Sequence, residues 1–193
     1  MEGPRKSSTD ARWAAALGYH TGLMTTEPIR TERLVLREPE EADLPSLVAI
    51  LREPDVARWW PGFDETEARL ALLGREDVSV LTIEHQGRPI GAIQFHEQDD
   101  PSYRHAGVDL FVATAWQGQG LGSEAVKGLA KYLFQSRGHH RLVIDPAASN
   151  LHAIRAYEKV GFRKVGLMRQ YERGPDGQWH DGVMMELVKD DWR

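Results

Sequence analysis

Cysteine is absent from this sequence of 193 residues. Its absence excludes disulfide scaffolds, cysteine-ligated zinc sites and iron–sulfur clusters. It also excludes a cysteine nucleophile and an acyl-cysteine intermediate. If the protein transfers an acyl group, no cysteine relay can carry that group.

Long apolar runs and basic stripes are also missing. No window comes near the roughly 18 apolar residues that span a membrane, and the apolar stretch at residues 13–17 is too short for a signal-peptide core. Lysine and arginine total 24 against 29 acidic residues, a net charge of −5 at pH 7. This balance mildly favours a cationic small-molecule partner, although it is also ordinary for a globular domain. We expect a cytoplasmic protein that binds neither nucleic acid nor membrane.

The length predicts one domain rather than two. Residues 1–27 are charged and unpatterned and include a second methionine, so we expect a flexible leader followed by a folded domain at residues 28–193. Periodicity predicts helices at residues 43–51, 64–73, 121–134 and 151–160. Strands are predicted at residues 34–37, 78–85, 90–96, 108–113, 141–145, 162–171 and 179–188. The order β-α-α-β-β-β-α-β-α-β-β indicates a mixed α/β sheet with helices on its faces.

Several local signals predict how these elements begin and end. Asp43 is expected to cap the first helix, and Ser149 or Asn150 the last. His139 and His140 follow a helix-ending glycine, which favours a capping or surface role. The histidines show no metal-ligand spacing, so no metal site is predicted.

A glycine-rich segment, Gln117-Gly118-Gln119-Gly120-Leu121-Gly122, joins a predicted strand to a predicted helix. Glycines let the backbone bend tightly, and N–H groups at a helix start point towards an anion, so the segment is typical of a phosphate cradle. The dinucleotide and P-loop patterns do not fit, because Ser123 stands where a third glycine is required and no lysine follows Gly122. The alternative is a flexible loop without a ligand.

With Asn150 and Tyr157 in the segment at residues 149–162, this motif resembles the GCN5-related N-acetyltransferase (GNAT) superfamily over about residues 29–190. The resemblance implies a mostly antiparallel sheet of six to seven strands, splayed between the fourth and fifth, with helices on both faces. It implies acetyl-CoA as the donor and no metal. The implied cofactor-binding residues are Phe111, Val112, Gln117, Gly118, Gln119, Gly120, Leu121, Gly122, Ser123 and Asn150.

Two subgroups of that superfamily compete. Trp59-Trp60, Gly107-Val108-Asp109 and the segment at residues 145–162 resemble the aminoglycoside 6'-N-acetyltransferases, which are antibiotic-resistance enzymes. Residues 31–37 and 179–187 resemble the subgroup that acetylates ribosomal-protein N-termini and polyamines. The tryptophan pair and the Asp109 strand are the less widespread features, so we favour the aminoglycoside reading, in a monomer or homodimer. A non-catalytic acyl-CoA sensor is the alternative from another class.

The resemblance also implies roles at the acceptor side. Asp109 is the base that deprotonates the acceptor amine, or else a carboxylate that only orients it. Tyr157 is the acid that protonates the departing thiolate, or else a core aromatic. Asp99, Asp100 and Asp145 are candidate ammonium partners, with a solvated loop as the alternative for the first two. Trp59 and Trp60 pack on sugar rings or plug the sheet edge.

Overall fold

The computed structural model describes residues 27–60, 65–73, 78–174 and 176–192. Apart from Glu27, the expected leader lies outside the described residues. So do Asp64 and Gly74, which were expected to begin and end the second helix.

Eight strands and five α-helices lie in the described ranges. The strands are β1 (Ile29–Arg30), β2 (Leu34–Arg37), β3 (Ser79–His85), β4 (Arg88–Gln98), β5 (His105–Val112), β6 (Arg141–Ile144), β7 (Arg163–Arg173) and β8 (Trp179–Val188). The helices are α1 (Leu44–Leu51), α2 (Pro54–Ala57), α3 (Glu65–Leu73), α4 (Leu121–Gln135) and α5 (Leu151–Val160). Within these ranges, no helix is both long enough and apolar enough to cross a bilayer.

All strands form one sheet in the order β1-β2-β3-β4-β5-β6-β8-β7, and only the β5–β6 pair is parallel. That pair is joined at two positions, Ala106 with Leu142 and Gly107 with Val143. From Val108 to Val112, β5 has no hydrogen-bonded pairing with β6. This confirms the splay implied by the resemblance. The strand count exceeds six to seven because the two-residue β1 extends one edge of the sheet.

Helices cover both faces of the sheet, as expected. The long helix α4 and the shorter α5 pack on one face, where Val108 and Val112 of β5 join the larger core cluster. Helices α1, α2 and α3 pack on the other face, where Ala92 and Phe111 join a second cluster. The strand β5 therefore alternates its side chains between two separate cores.

Two details of the chain path differ from prediction. The single-turn helix α2 was not predicted, and Pro54 opens it because proline at a first helical position loses no intrahelical hydrogen bond. The strands predicted at residues 78–85 and 90–96 pair as a hairpin whose turn is shorter than the gap between them. Gln86 and Gly87 have φ angles of 51° and 74°, which is typical of a two-residue type I′ turn, so β4 already begins at Arg88.

The prediction that Asp43 caps α1 is wrong. Its side chain makes no capping bond to that helix. Instead the carboxylate accepts two hydrogen bonds from Arg37, at 2.7 and 2.8 Å, and one from Thr82 at 3.0 Å. Burial raises the pKa of Asp43, but these donors outweigh it and the pKa is lowered. The carboxylate also accepts the N–H of Glu40 at 2.9 Å, so it closes the 3₁₀ turn before α1 and pairs with Arg37 instead of capping α1.

Of the capping or surface role expected for His139, the surface role is wrong, although its backbone N–H donates to the carbonyl oxygen of Leu133 in α4 at 3.0 Å and His140 is exposed. The His139 side chain is fully buried, and its Nε2 lies 2.6 Å from Oε1 of Glu97 on β4. Arg137 donates to the same carboxylate, at 2.6 and 3.1 Å. The turn after α4 packs against β4 through Glu97, and a contact between segments 40 residues apart cannot be predicted from the local sequence.

Candidate active site

The candidate site lies where β5 parts from β6. The residues at odd positions, Gly107, Asp109 and Phe111, face the side of the sheet that carries α1 to α3, since Asp109 pairs with Gln94 and Phe111 with Ala92. Asp109 is exposed there, and its Oδ1 accepts the backbone N–H of Leu110 at 2.8 Å. A carboxylate therefore stands on the splayed part of the strand.

The glycine-rich segment forms the turn from β5 into α4. Gln117 donates through Nε2 to the carbonyl oxygen of Val112 at 2.8 Å, which ties the segment to the end of the strand. Gly118 and Gly120 have φ angles of 74° and 79°, a left-handed conformation that favours glycine. Gly120 is the N-cap of α4 and has no side chain to occupy the first-turn N–H groups. Those groups can bind an anion.

Gly122 has a different role in the segment. A Cβ atom at this position would lie 3.7 Å from Leu110 Cδ1 and from Val112 Cγ2, an ordinary contact distance. The φ angle of Gly122 does not require glycine, and a larger side chain would not clash with its neighbours at Cβ. The missing side chain leaves open the space above β5, which is where the resemblance predicts that a cofactor crosses the helix start.

Arg33 is a site residue that the sequence argument missed. Glu124, in the first turn of α4, accepts Thr31 Oγ1 at 2.6 Å, and Arg33 N and Nε each at 2.7 Å. Arg33 also donates through Nη1 to the carbonyl oxygen of Gln119 at 3.1 Å. Burial raises the pKa of Glu124, but the bonds from Thr31 and Arg33 outweigh it and lower the pKa. The turn before β2 thus braces the glycine-rich segment.

On the other side of the splay, Asn150 begins α5. Its Oδ1 accepts the N–H of Ala153 at 3.1 Å, which confirms the predicted cap. With Oδ1 so engaged, the side-chain NH₂ group is the part of Asn150 that can donate to a ligand. Ser123 links the two helices, because its hydroxyl donates to the carbonyl oxygen of Ala156 at 3.4 Å.

Tyr157 lies two turns into α5 and is only 8% exposed. Burial raises the pKa of its phenol above the ordinary value of 10.0, and the negative charges of Asp109 and then Asp145 raise it further. The charges of Asp109 and Asp145 therefore both act on Tyr157, although the three residues come from β5, the end of β6 and α5. The phenol is held in its protonated form.

Tyr171 on β7 is a second residue that the sequence argument missed. Its hydroxyl donates a short hydrogen bond to Oδ2 of Asp145. The β7–β8 hairpin also reaches the chain that follows β6, where Ala147 forms a bridge with Gly182 and Ala148 N donates to the carbonyl oxygen of Asp181 at 2.8 Å. The hairpin therefore forms one wall beside the carboxylates.

The two tryptophans differ in their surroundings. The Trp60 ring stands edge-on to Phe111, with centroids 5.3 Å apart, and joins the second core cluster. Trp59 is partly exposed, and the Arg58 guanidinium lies 5.0 Å from its ring centroid. Trp60 thus contacts the residue two positions from Asp109 on the same face of β5. The core role suits Trp60 better, and a substrate role for either stays a prediction.

Asp99 and Asp100 lie in the loop between β4 and β5, before the start of β5. Asp99 Oδ1 lies 3.8 Å from Arg104 Nε, and Asp100 Oδ1 accepts the N–H of Ser102 at 2.8 Å. From His105 to Asp109 the strand covers about 13 Å. The structure does not bring this pair into the group around Tyr157, and its role in binding a substrate stays a prediction.

The described donors fit the cofactor that the resemblance implies. First-turn N–H groups of α4 suit a pyrophosphate, and the edge of β5 that parts from β6 after Gly107 suits the amides of a pantetheine arm. Among the residues that the structure describes, no group of three or more His, Asp or Glu side chains could hold a metal ion.

The splayed sheet, the glycine-rich turn into α4 and the buried tyrosine on α5 are the features that the resemblance predicts for an acetyltransferase. Comparison with known proteins gives the family. The model of the acetyltransferase (GNAT) domain matches residues 33–163, more than half of the chain. The protein therefore belongs to the GNAT acetyltransferase family.

Its relatives include aminoglycoside and ribosomal-protein acetyltransferases. The chain is 33% identical over 167 residues to "Aminoglycoside N(6')-acetyltransferase type 1" of Klebsiella pneumoniae, covering 76% of this chain and 80% of that protein. It is 26% identical over 190 residues to the "[Ribosomal protein uS5]-alanine N-acetyltransferase" of Escherichia coli, covering 91% and 97%. Among solved structures, AAC(6')-Ib in complex with paromomycin and acetyl-CoA is 29% identical, with a TM-score of 0.67, covering 83% and 96%.

Proposed function

We propose that this protein is a cytoplasmic enzyme that transfers the acetyl group of acetyl-CoA to the 6'-amine of aminoglycosides. The observation that carries the proposal is the exposed carboxylate of Asp109 on the splayed part of β5, where its charge and that of Asp145 act on the buried Tyr157. Two carboxylates suit an acceptor with several ammonium groups, and the tyrosine suits a departing thiolate. Similarity to the Klebsiella pneumoniae enzyme supports the choice of acceptor.

The donor half of the site rests on backbone groups. We assign the pyrophosphate to the N–H groups of residues 117–123 and the pantetheine arm to the edge of β5 at Phe111 and Val112, within reach of the Asn150 side-chain amide. When bound, acetyl-CoA supplies a thioester whose carbonyl carbon the amine attacks. Because the sequence has no cysteine, the acetyl group passes to the amine without a cysteine intermediate.

Asp109 and Leu110 act together at the reacting carbonyl. In this structure Asp109 Oδ1 accepts the Leu110 N–H. When the carboxylate turns towards an acceptor ammonium, that N–H becomes available to the carbonyl oxygen, on which negative charge develops. Binding of the acceptor therefore completes the site that stabilises this charge.

Tyr157 gives its proton to the departing thiolate. Its raised pKa keeps the phenol protonated at neutral pH, which a proton donor requires. The same raised pKa opposes the transfer, since the donor then holds its proton more tightly than a thiol does. An ammonium placed between Asp109 and Asp145 offsets their charges and lowers the pKa of Tyr157. The acid is thus activated when the acceptor is in place.

An amine panel with detection of the released thiol tests the proposal. We expect turnover with kanamycin and tobramycin, and none with an aminoglycoside that carries a hydroxyl group at the 6' position. That matched compound keeps the other ammonium groups, so it separates 6' transfer from transfer elsewhere. If no 6'-amino compound is acetylated, the aminoglycoside assignment is wrong.

Acetylation of a ribosomal-protein N-terminus is the second candidate. It is favoured by the match to the Escherichia coli enzyme, which covers 91% of this chain. Peptides with a free N-terminal alanine, and spermidine as a polyamine, belong in the same panel. Turnover of the peptide without turnover of kanamycin would select this candidate.

A further inference from the structure

His96 on β4 lies beside the proposed site, and no role has been assigned to it. In the β4–β5 register His96 pairs with Gly107 and Gln94 pairs with Asp109. Paired residues share one face of a sheet, so His96 and Asp109 are diagonal neighbours on the same face. Along β5, Gly107 and Asp109 are about 7 Å apart.

The imidazole of His96 lies directly against Gly107. A Cβ atom at Gly107 would overlap Cε1 and Nε2 of His96 and would come within 2.9 Å of its Nδ1. The glycine therefore makes room for the ring. Gly107 is also the last residue of β5 that pairs with β6, through Val143. The imidazole thus sits at the point where the two strands part, next to the carboxylate proposed to meet the acceptor.

The charged groups around this imidazole have distinct roles. Among the described residues, the titratable side chains on this face of the adjacent strands are Asp109 and His105 on β5 and Arg141 on β6, while Glu186 on β8 and Arg163 on β7 lie further across the sheet. Arg141 donates to Glu186 at 2.8 Å, so its charge is shared with a carboxylate. Burial, and then the charge of Arg141, lower the pKa of His105 despite its bond to a backbone carbonyl. Asp109 supplies the negative charge on the side of His96 that faces the splay.

We propose that His96 is the base that takes the proton from the acceptor ammonium, while Asp109 holds that ammonium in place. This inference rests on the proposed acetyl transfer. An imidazole has an ordinary pKa of about 6.5, against about 3.9 for an aspartate, and is therefore the better proton acceptor near pH 7. The carboxylate of Asp109 then stabilises the imidazolium that forms.

The reaction balances with these groups alone. One N–H bond of the ammonium breaks, its proton goes to His96, and the electron pair left on nitrogen forms the new C–N bond. The C–S bond breaks, and the sulfur takes a proton from Tyr157. The nitrogen then loses its second proton, which restores the phenol. His96 is partly exposed and releases its proton to solvent, so each turnover produces one amide, one thiol and one proton.

The kinetic test compares H96Q with H105Q, a matched change at a neighbouring histidine on the same face. With any amine that the wild type acetylates, we expect H96Q to lower kcat by about 100-fold, the low end for loss of a general base. We also expect an unchanged KM for the acceptor and loss of the fall in rate below neutral pH. H105Q should keep both rate and profile. Calorimetric binding of CoA checks that each variant is folded.

An NMR titration tests the inference without any acceptor. The C2 proton of His96 is assigned from its absence in H96Q, and its titration is followed in the wild type and in D109N. Coupling to the carboxylate predicts a lower pKa of His96 in D109N, and an identical titration overturns the inference. An H96Q enzyme with the wild-type rate and pH profile also overturns the inference about His96. That result leaves the proposed function intact. Failure of the wild type on every amine instead overturns the proposed function.

Discussion

Glu97 and His139 form a buried contact in which Oε1 and Nε2 lie 2.6 Å apart, and both side chains are at most 3% exposed. In the described residues, Nδ1 of His139 has no hydrogen-bond partner. If the ring is neutral and Nε2 donates to Glu97, Nδ1 is an acceptor without a donor. If the ring is an imidazolium, Nδ1 is a buried N–H without an acceptor, which costs more free energy. With Arg137, this contact fixes the end of α4 against β4.

Glu97 gives a prediction about acid stability. Burial raises its pKa, but the bonds from His139 and Arg137 outweigh this and lower it from 4.5 to about 2. The carboxylate therefore stabilises the fold above about pH 4.5, and this contribution is lost as the pH falls towards 2. We expect E97Q to lower the free energy of unfolding at pH 7 by about 3 kcal/mol, with a smaller loss below pH 4.

Urea unfolding at several pH values measures this difference. The control is E186Q, which removes the carboxylate from a more exposed ion pair with Arg141 and should cost at most about 1 kcal/mol. Equal losses for the two variants at pH 7 would contradict the role given to Glu97.

Gly120 gives a prediction about cofactor binding. Because its φ angle is 79°, an alanine there is strained, and we expect G120A to lose about 1 kcal/mol of stability. The strain should also turn the first-turn N–H groups of α4 and weaken CoA binding about tenfold. Calorimetry measures the binding. G166A is the control, because Gly166 has a negative φ and no neighbour within 4 Å of an added Cβ.

Arg33 tests whether the brace on the glycine-rich segment matters. R33A removes the bonds to Glu124 and to the carbonyl oxygen of Gln119, so we expect a weaker Kd for CoA with little loss of stability. R163A removes an exposed pair with Asp191 far along the chain and should leave the Kd unchanged. An R33A protein that binds CoA as tightly as the wild type would show that the segment keeps its shape alone.

Tyr157 tests the proposed proton donor. We expect Y157F to lower kcat by about 100-fold while CoA binding is nearly unchanged, because the ring still fills its site. Since the pKa of Tyr157 is raised, the wild-type rate should show no fall from its ionisation up to pH 10. Y132F is the control, as Tyr132 packs edge-on against Phe95 in the core. Rates measured with the thiol-release assay would refute the role if Y157F matched the wild type.

The tryptophan pair separates packing from acceptor binding. W60A removes a ring that packs on Phe111, so we expect a loss of about 2 kcal/mol in stability. W59A removes a partly exposed ring, so we expect a small stability change and a higher KM for the acceptor. Thermal unfolding and steady-state kinetics on both variants separate the two effects. An unchanged KM in W59A would remove Trp59 from the acceptor site.

Local patterns predicted the elements well, because periodicity and turn residues act over a few positions. The helix α4 follows a repeat of buried residues from Leu121 to Phe134, and β8 has the predicted bounds of 179–188. The cap of α5 was predicted as Ser149 or Asn150, and Asn150 is the cap, since its Oδ1 accepts the N–H three residues along the chain. The splay itself came from the family resemblance.

Contacts between distant segments were not predictable in the same way. Asp43 stands before a helical pattern and so was predicted as a cap, but its carboxylate is used by Arg37 and by Thr82, which is 39 residues away. Arg33, in the turn before β2, contacts Glu124, and Tyr171 on β7 contacts Asp145. Neither contact could be predicted, because the sequence does not show how these segments align. One signal was available for His96, since an isolated glycine inside a strand, here Gly107, marks a close approach of another group.

The two-position pairing of β5 with β6 divides the sheet into halves that are joined by few direct bonds. A pantetheine arm lying between them would hydrogen-bond to one half through β5 and to the other through Asn150. The coenzyme would then act as an additional strand that completes the sheet. The fraction of sites that hold the coenzyme would then set how rigid the sheet is. Amide hydrogen exchange along β5 would measure this rigidity.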